Sequence, residues 1–358
     1  MKKVPVKVLE DYCKKVLIKA GMGEMKASIV TECLIEANLR GVDSHGIRLL
    51  PVYVKAIKKG LINIYSYPKI EKESQATLLI DGQGGIGQFV GVYAMKKCME
   101  KARRFGIGIA GVRNSNHFGI AAYYAMIPLK EDMIGIALSN APHRMAPWGA
   151  KKAYLGTNPF AVAVPTDGDI PFVVDMATSK VALQKIVSAK DKGENIPGDW
   201  ALDEEGKPTT DPEKALKGAV LPMAEAKGYA ISLLIDMFCG VLTGAAFGNH
   251  HPNRLINPDS SGPQDIGHFF AALKIENFIP LREFKRRMRQ EIEEIKSLPV
   301  AEGFSQICIP GEIEANKKKE RVKKGIPLSD NVLRGLKKVG EELGLNFNFE
   351  EGEENEKK

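Results

Sequence analysis

The chain has 358 residues, 44% of them apolar, enough to bury one large core or two to three smaller ones. Its formal charge of +7 is concentrated in KRRMR at 285–289 and KKKERVKK at 317–324, each interrupted or flanked by acids in the manner of a solvated helix face. No aromatics interleave with these clusters and no nucleic-acid-binding motif accompanies them, which argues against a nucleic-acid partner, and MKKVPVKVLEDYCKK lacks the apolar segment of a secretory leader.

Taken in chain order, the first 60 residues read as helical. Residues 24–39, EMKASIVTECLIEANL, place Ile29, Val30, Cys33, Leu34 and Ala37 at helical spacing, and Gly41 is the expected stop. Asp43 or Ser44 is then predicted to cap a second helix carrying His45 and Arg48 in its first turn. From residue 76 the pattern changes to strand (ATLLIDG), helix (FVGVYAMKKCMEKARRFG), strand (GIGIAGVRN), helix (AAYYAMIPLKED) and strand (MIGIALSN). FAVAVPT and PFVVDMA flank the turn DGDI and predict a hairpin, so the sheet is expected to be mixed. Residues 190–218 read as loop. The longest apolar run, 229–247, contains Asp236, Gly240 and Gly244, which favours a buried helix over a membrane span. A strand HFFAALKI, an amphipathic helix over 281–297 and a strand FSQICIP follow. The expected organisation is a helical part over 1–70, a mixed α/β core over 71–300, a returning strand and helices over 301–345, and an acidic, disordered tail over 346–358. Five cysteines without CxxC spacing read as reduced thiols of a cytoplasmic protein.

Several motifs bear on chemistry. On the residues alone His45 is either a surface histidine at a helix start, the commoner case, or a proton donor beside the Arg48 guanidinium. Gly82, Gly84 and Gly87 in DGQGGIGQ satisfy GxGxxG between a strand and a helix, but the next strand ends in Arg113 and Asn114 where a dinucleotide site needs an acid for the ribose. His117 in SNHFG lies where a strand gives way to a helix, a position that serves reactive and capping roles alike. PHRMAPWGAKKAYLGTNPF suits a loop folded over a ligand or a plain ordered loop. His250 and His251 lack metal-ligand spacing, and no metal is expected.

RGVDSHGI, NSNHFG, APWGAKKAYLGTNPF, DMATS, GKPTTDP, AKGYAISLLIDMFCGVLTGA, GPQDIGHFF and IPGEIE occur in this order, and together they resemble the malate/L-lactate dehydrogenase type 2 family over roughly residues 5–345. The resemblance implies a three-layer α/β/α, sulfolactate-dehydrogenase-like fold distinct from the Rossmann domain. It also implies a homodimer and NAD or NADP as cofactor for the interconversion of 2-oxo and 2-hydroxy acids, with malate favoured. Lactate, sulfolactate, ureidoglycolate or a cyclic imino acid are alternatives in the same class. A catalytically silent nucleotide-binding protein is the alternative outside it, against which the joint presence of Ser44, His45, Arg48, His117 and Lys227 speaks. By resemblance the glycines of GQGGIG are structural. His45, oriented by Ser44, is the first-ranked proton donor and His117 the second; Arg48 and Thr157 bind substrate. The cofactor falls to His117, Phe118, Gly119, Ile120 and Ala121, to Ser139, to Asp175, Met176 and Ala177, to Lys227 and Gly228, and to Gly311 and Glu312. Lys185 stands where the imine-reductase branch carries an acid, which puts a Ser-His-Asp relay in doubt. A histidine near its ordinary pKa and a planar guanidinium suit this chemistry.

Overall fold

The computed structural model describes residues 1–252 and 263–346; all but the first residue of the expected acidic tail lies outside them. The chain begins with a short strand β1 (Lys2–Val4) and two helices, α1 (Val6–Lys19) and α2 (Glu24–Leu39). Helix α2 ends where the sequence predicts. Gly41 takes the left-handed φ of +83°, Gly41 N–H reaches Asn38 O at 2.9 Å, and Val42 N–H reaches Ala37 O at 2.8 Å, a Schellman closure. No helix begins at residue 43 or 44. Two 3-10 turns, Asp43–His45 and Ile47–Leu49, are separated by extended Gly46, and helix α3 runs only from Leu50 to Lys58.

A seven-stranded mixed sheet follows, formed by β2 (Lys69–Glu73), β3 (Thr77–Asp81), β4 (Ile107–Ser115), β5 (Met133–Ser139), β6 (Phe160–Val164), β7 (Phe172–Met176) and β10 (Ile266–Lys274). The order is β2-β3-β4-β10-β5-β6-β7, with β3 and β4 parallel and every other neighbour antiparallel. Helices α4 (Gly87–Phe105) and α5 (Ala121–Ala125) cover one face. Alternation along β4 shows the division: a Cβ at Gly108 would meet Cys98 of α4, whereas one at Gly111 would meet Thr243 on the other side.

That second face is covered by α8 (Ala226–Asp236), which continues through a π turn at Met237–Val241. The expectation of a buried helix is corrected here. Ser232, Ile235 and Cys239 are buried, but Leu234, Met237, Val241 and Leu242 are 50%, 52%, 59% and 64% exposed. The run is apolar all round because one side meets the protein core while the other forms a bare apolar stripe.

Two further expectations change. Residues 190–218 are not wholly loop: helix α6 (Leu183–Lys192) extends into them, and Asp211 accepts Glu213 N–H and Lys214 N–H to start α7 (Pro212–Lys217). A two-stranded ribbon, β8 (Ala201–Leu202) with β9 (Ala219–Val220), closes the excursion. FSQICIP is not a strand. Ile309 N–H is taken by the Glu312 carboxylate at 3.0 Å and Pro310 has no N–H, so no ladder can propagate.

Helix α9 (Leu281–Ser297) and helix α10 (Glu312–Lys324) carry the basic clusters, whose side chains pair locally: Lys285 with Asp132, Arg289 with Asp167, Lys318 with Glu36. Strand β11 (Ile326–Leu328) pairs with β1, and helix α11 (Asp330–Glu341) inserts Leu336 and Val339 among Leu9, Leu17, Leu50 and Tyr53. No helix among the described residues is long and apolar enough to cross a membrane.

The glycines of DGQGGIGQ pack the strand ends together. A Cβ at Gly87 would stand 2.1 Å from Asn116 O and 2.5 Å from His117 O, so backbone fills the space a pyrophosphate would need there. Gly84 has φ of +65° with nothing closer than 3.7 Å to its Cβ position. Gly84→Ala should therefore cost about 1–2 kcal/mol of backbone strain. Gly87→Ala should lower Tm further and reduce turnover as well, because the His117 backbone itself must yield; thermal melts and initial rates of the two variants check the order.

Candidate active site

The segment 43–48 is held by Asn38 at the end of α2. Asn38 Oδ1 accepts Ile47 N–H at 2.7 Å and its Nδ2 donates to Asp43 Oδ1 at 2.6 Å. Arg321 of α10 grips Asp43 with both terminal nitrogens, at 2.6 and 3.0 Å, and also donates to Asn38 O. A Cβ at residue 46 would stand 2.2 Å from Asn38 Oδ1, so the loop can wrap this side chain only with glycine there. Asp43 is consumed by this tie and does not cap a helix.

The loop presents His45 to the cleft with Ser44 Oγ 2.8 Å from its Nδ1. His117 arrives from the opposite side, off the end of β4, and the rings stack with centroids 5.5 Å apart and planes 18° from parallel. Behind His117 lies a chain that sequence reasoning missed. Tyr53 Oη is 2.7 Å from His117 Nδ1, and Gln88 Nε2 donates to Tyr53 Oη at 2.7 Å. Tyr53 and Gln88 are both fully buried. The His117 N–H is fixed by Gln264 Oε1 at 3.0 Å.

Crowding by protein atoms pushes His45 down to about 4, with the Arg48 charge adding to the effect. It pushes His117 down to about 3, with His45 and His268 as further contributors. The expectation of a near-ordinary histidine is thus corrected: both rings are neutral at pH 7. Arg48 is half-buried, its pKa is lowered by burial, and no carboxylate among the described residues pairs with it. An arriving carboxylate would supply the missing countercharge.

The remaining sequence-derived positions fall into groups. Phe118, Ile120 and Ala121 are buried, so only their backbone can face a ligand. Phe118 stacks on His268 at 4.5 Å, and His268 bridges Ser139 Oγ and Ser115 Oγ, each at 2.9 Å. Ser139 is therefore occupied internally. Asp175 of β7 accepts Ala122 N–H, and burial raises its carboxyl to about 6 against the opposing pull of Arg40. Arg40 is only 5% exposed, yet its Nε and Nη2 have no partner. Unsatisfied donors beside a raised carboxyl fit the hydroxyls and phosphates of a dinucleotide. Met176 is 42% exposed beside them. Thr157 O accepts from Thr178 N–H and Oγ–H, next to Ala177, and Asn158 ties this corner to α8 through Ser232 O at 3.0 Å. Lys227 lies exposed in the first turn of α8. Gly228 serves packing, since a Cβ there would stand 1.8 Å from Met223 O. Gly311 has φ of +91°, its Cβ direction is filled by Val173, and Glu312 pairs with Lys296. No hydrogen bond, ion pair or ring contact among the described residues joins the histidine pair to Thr157, Lys227 or Gly311. A groove of about 550 Å³ adjoins Ser44, lined on its far side by Gln184, Lys185, Ser188 and Trp200. No cluster of three metal-ligating side chains occurs among the described residues.

The buried imidazoles carry a stability consequence. His268 is fully buried with its pKa pushed down to about 3. A depressed imidazole leaves the unfolded state holding more protons between its ordinary pKa near 6.5 and the folded value, so stability is full above about pH 6.5 and is lost as pH falls through that window. Tm should drop from pH 7 to pH 4, and His268→Gln should flatten that drop while lowering Tm at pH 7; an unchanged pH slope in the variant would remove His268 as a cause.

Similarity to known proteins extends over nearly the whole chain. The family model for malate/L-lactate dehydrogenase matches residues 4–337. A malate dehydrogenase of Pyrococcus abyssi is 42% identical over 351 residues, covering 96% of this chain and 95% of that protein. An L-sulfolactate dehydrogenase of Methanocaldococcus jannaschii is 43% identical over 332 residues, covering 93% and 94%. The crystal structure of a malate dehydrogenase from Entamoeba histolytica superposes with a TM-score of 0.91 at 33% identity, covering 96% of this chain and 98% of that one. A match of this extent in sequence and in fold leaves one conclusion: the chain belongs to the malate/L-lactate dehydrogenase family.

Proposed function

We propose that this protein is an NAD(P)-dependent 2-hydroxy acid dehydrogenase that interconverts malate and oxaloacetate. The observation that carries the reading is the stacked pair of neutral imidazoles beside an uncompensated guanidinium. Arg48 takes the substrate carboxylate in a planar two-point grip, assisted by Thr157. His45, steadied by Ser44, and His117 face the reacting oxygen. In the oxidative direction a neutral imidazole is ready to accept the hydroxyl proton; in the reductive direction the same nitrogen returns it. The bound cofactor supplies or accepts the hydride. Backbone of Phe118, Gly119, Ile120 and Ala121, with Asp175, Met176, Ala177 and Lys227, forms its cradle, Ser139, Gly228, Gly311 and Glu312 shape the chain behind it, and the unpartnered nitrogens of Arg40 join the cradle. Sulfolactate is the second reading, favoured by the relative from Methanocaldococcus jannaschii. Like malate it offers two anionic groups to a basic cleft.

The apolar stripe of α8 supports a homodimer closed through that helix, and the five unpaired cysteines support a reducing, cytoplasmic setting. Leu234→Glu should shift sedimentation toward the monomer.

A panel of 2-oxo acids assayed with NADH and NADPH tests the activity, with oxaloacetate expected to turn over fastest; no turnover with any member would overturn it. His45→Ala should lower kcat by roughly two to four orders of magnitude with cofactor still binding. Arg48→Met should raise KM by roughly 10- to 150-fold, the worth of a charge-assisted contact, and Arg48→Lys should recover only part of it.

A further inference from the structure

We propose that Tyr53 and Gln88 are positioning residues that hold neutral His117 with its proton on Nε2, which makes His117 a hydrogen-bond donor to the reacting oxygen and leaves proton transfer to His45. The inference rests on the dehydrogenase reading for its consequence, and on geometry alone for the tautomer.

The chain of donors is short, and it starts at a buried amide whose Oε1 has no partner. Gln88 Nε2 donates to Tyr53 Oη at 2.7 Å, so the phenol's own proton is free to point elsewhere. The next partner is His117 Nδ1, also at 2.7 Å and within reach of the phenol's proton. A phenol is a better donor than acceptor, and an imidazole nitrogen a good acceptor. With Nδ1 accepting, the neutral ring carries its proton on Nε2. Tyr53 and Gln88 are fully buried, so water does not compete for either bond.

The stack explains why the two histidines divide the work. With centroids 5.5 Å apart, a second positive charge on the partner ring would be repelled, so one ring at most carries the extra proton. His117 cannot take it without breaking the bond from Tyr53. His45 is backed by the Ser44 hydroxyl, whose oxygen can accept a hydrogen bond from Nδ1–H and leave Nε2 as the base. During oxidation the hydroxyl proton of the 2-hydroxy acid would pass to His45 Nε2, and a bound nicotinamide cofactor would take up the C2 hydride. The Nε2–H of His117 meanwhile donates to that same oxygen, as neutral imidazole donors do elsewhere.

The test is the nitrogen chemical shifts of the six histidines in protein labelled with 15N-histidine at pH 7, with His117 assigned through His117→Gln. The expected wild-type pattern is the Nε2–H tautomer. Gln88→Glu replaces a donor with an acceptor, should draw the Tyr53 proton away, and should switch His117 to Nδ1–H. Gln88→Met should leave the tautomer as in wild type. In turnover, Tyr53→Phe should lower kcat about tenfold, at the weak end for a general catalytic contact, with KM for the cofactor unchanged. An Nδ1–H tautomer or an imidazolium in the wild-type protein overturns the proposal, as does a Gln88→Glu variant that keeps the wild-type tautomer. Should that variant not fold, the wild-type spectrum still decides. An Nε2–H tautomer in a protein without dehydrogenase turnover would leave the relay standing and remove the functional reading instead.

Discussion

The site depends on a single side chain at the end of α2. Asn38 accepts Ile47 N–H and donates to Asp43, and Arg321 closes the figure by gripping Asp43 from α10. Each bond satisfies a group that the chain reversal would otherwise leave unpaired, and removing one partner strands the others in a half-buried pocket. The result is a catalytic loop with almost no regular structure, two 3-10 turns about an extended glycine, that is nonetheless fixed from two helices. Ordering this loop by side-chain bonds lets His45 face the cleft instead of following the face of a helix.

A second level of order comes from the sheet. Strand β4 ends at Ser115, and the backbone of Asn116 and His117 lies against Gly87 at the head of α4. Beneath it, His268 of the central strand β10 bridges Ser115 and Ser139 and stacks on Phe118. An imidazole fits this place because a neutral ring offers one donor and one acceptor in plane, while its faces pack like an aromatic. His268, Ser115 and Ser139 are thereby satisfied from within, whereas the unpartnered buried nitrogens of Arg40 mark a direction in which a charged ligand would be welcomed.

Most strands and helices were legible because their periodicity is local: the hairpin of β6 and β7 and the stop at Gly41 follow from a few residues each. The Ser44, His45 and His117 constellation was legible through motif resemblance, and the structure brings those three side chains together. What was not legible depended on distant partners. Asp43 reads as a helix cap until Arg321, 278 residues away, claims it. Tyr53 and Gln88 look like ordinary core residues, since their roles exist only across 64 and 35 positions of chain. The near-neutral titration expected of the histidines failed because burial is a property of the assembled cleft. The strand expected at 304–310 failed on Pro310 and on the Glu312 carboxylate, a bond that pattern alone does not reveal.

The meeting of β1 with β11, and of α11 with the first helices, places the two extremes of the chain in one hydrophobic cluster. A nascent chain lacking its last forty residues would hold α1, α2 and α3 with the seats of Ile326, Leu336 and Val339 open, and with Asp43 lacking its guanidinium. The central sheet can assemble once β10 has emerged from the ribosome, whereas the helical part closes only after residues 326–339 have followed. A chain interrupted before Arg321 would leave the catalytic loop unmoored and an apolar face uncovered, so the order of that loop reports on chain emitted 278 residues later.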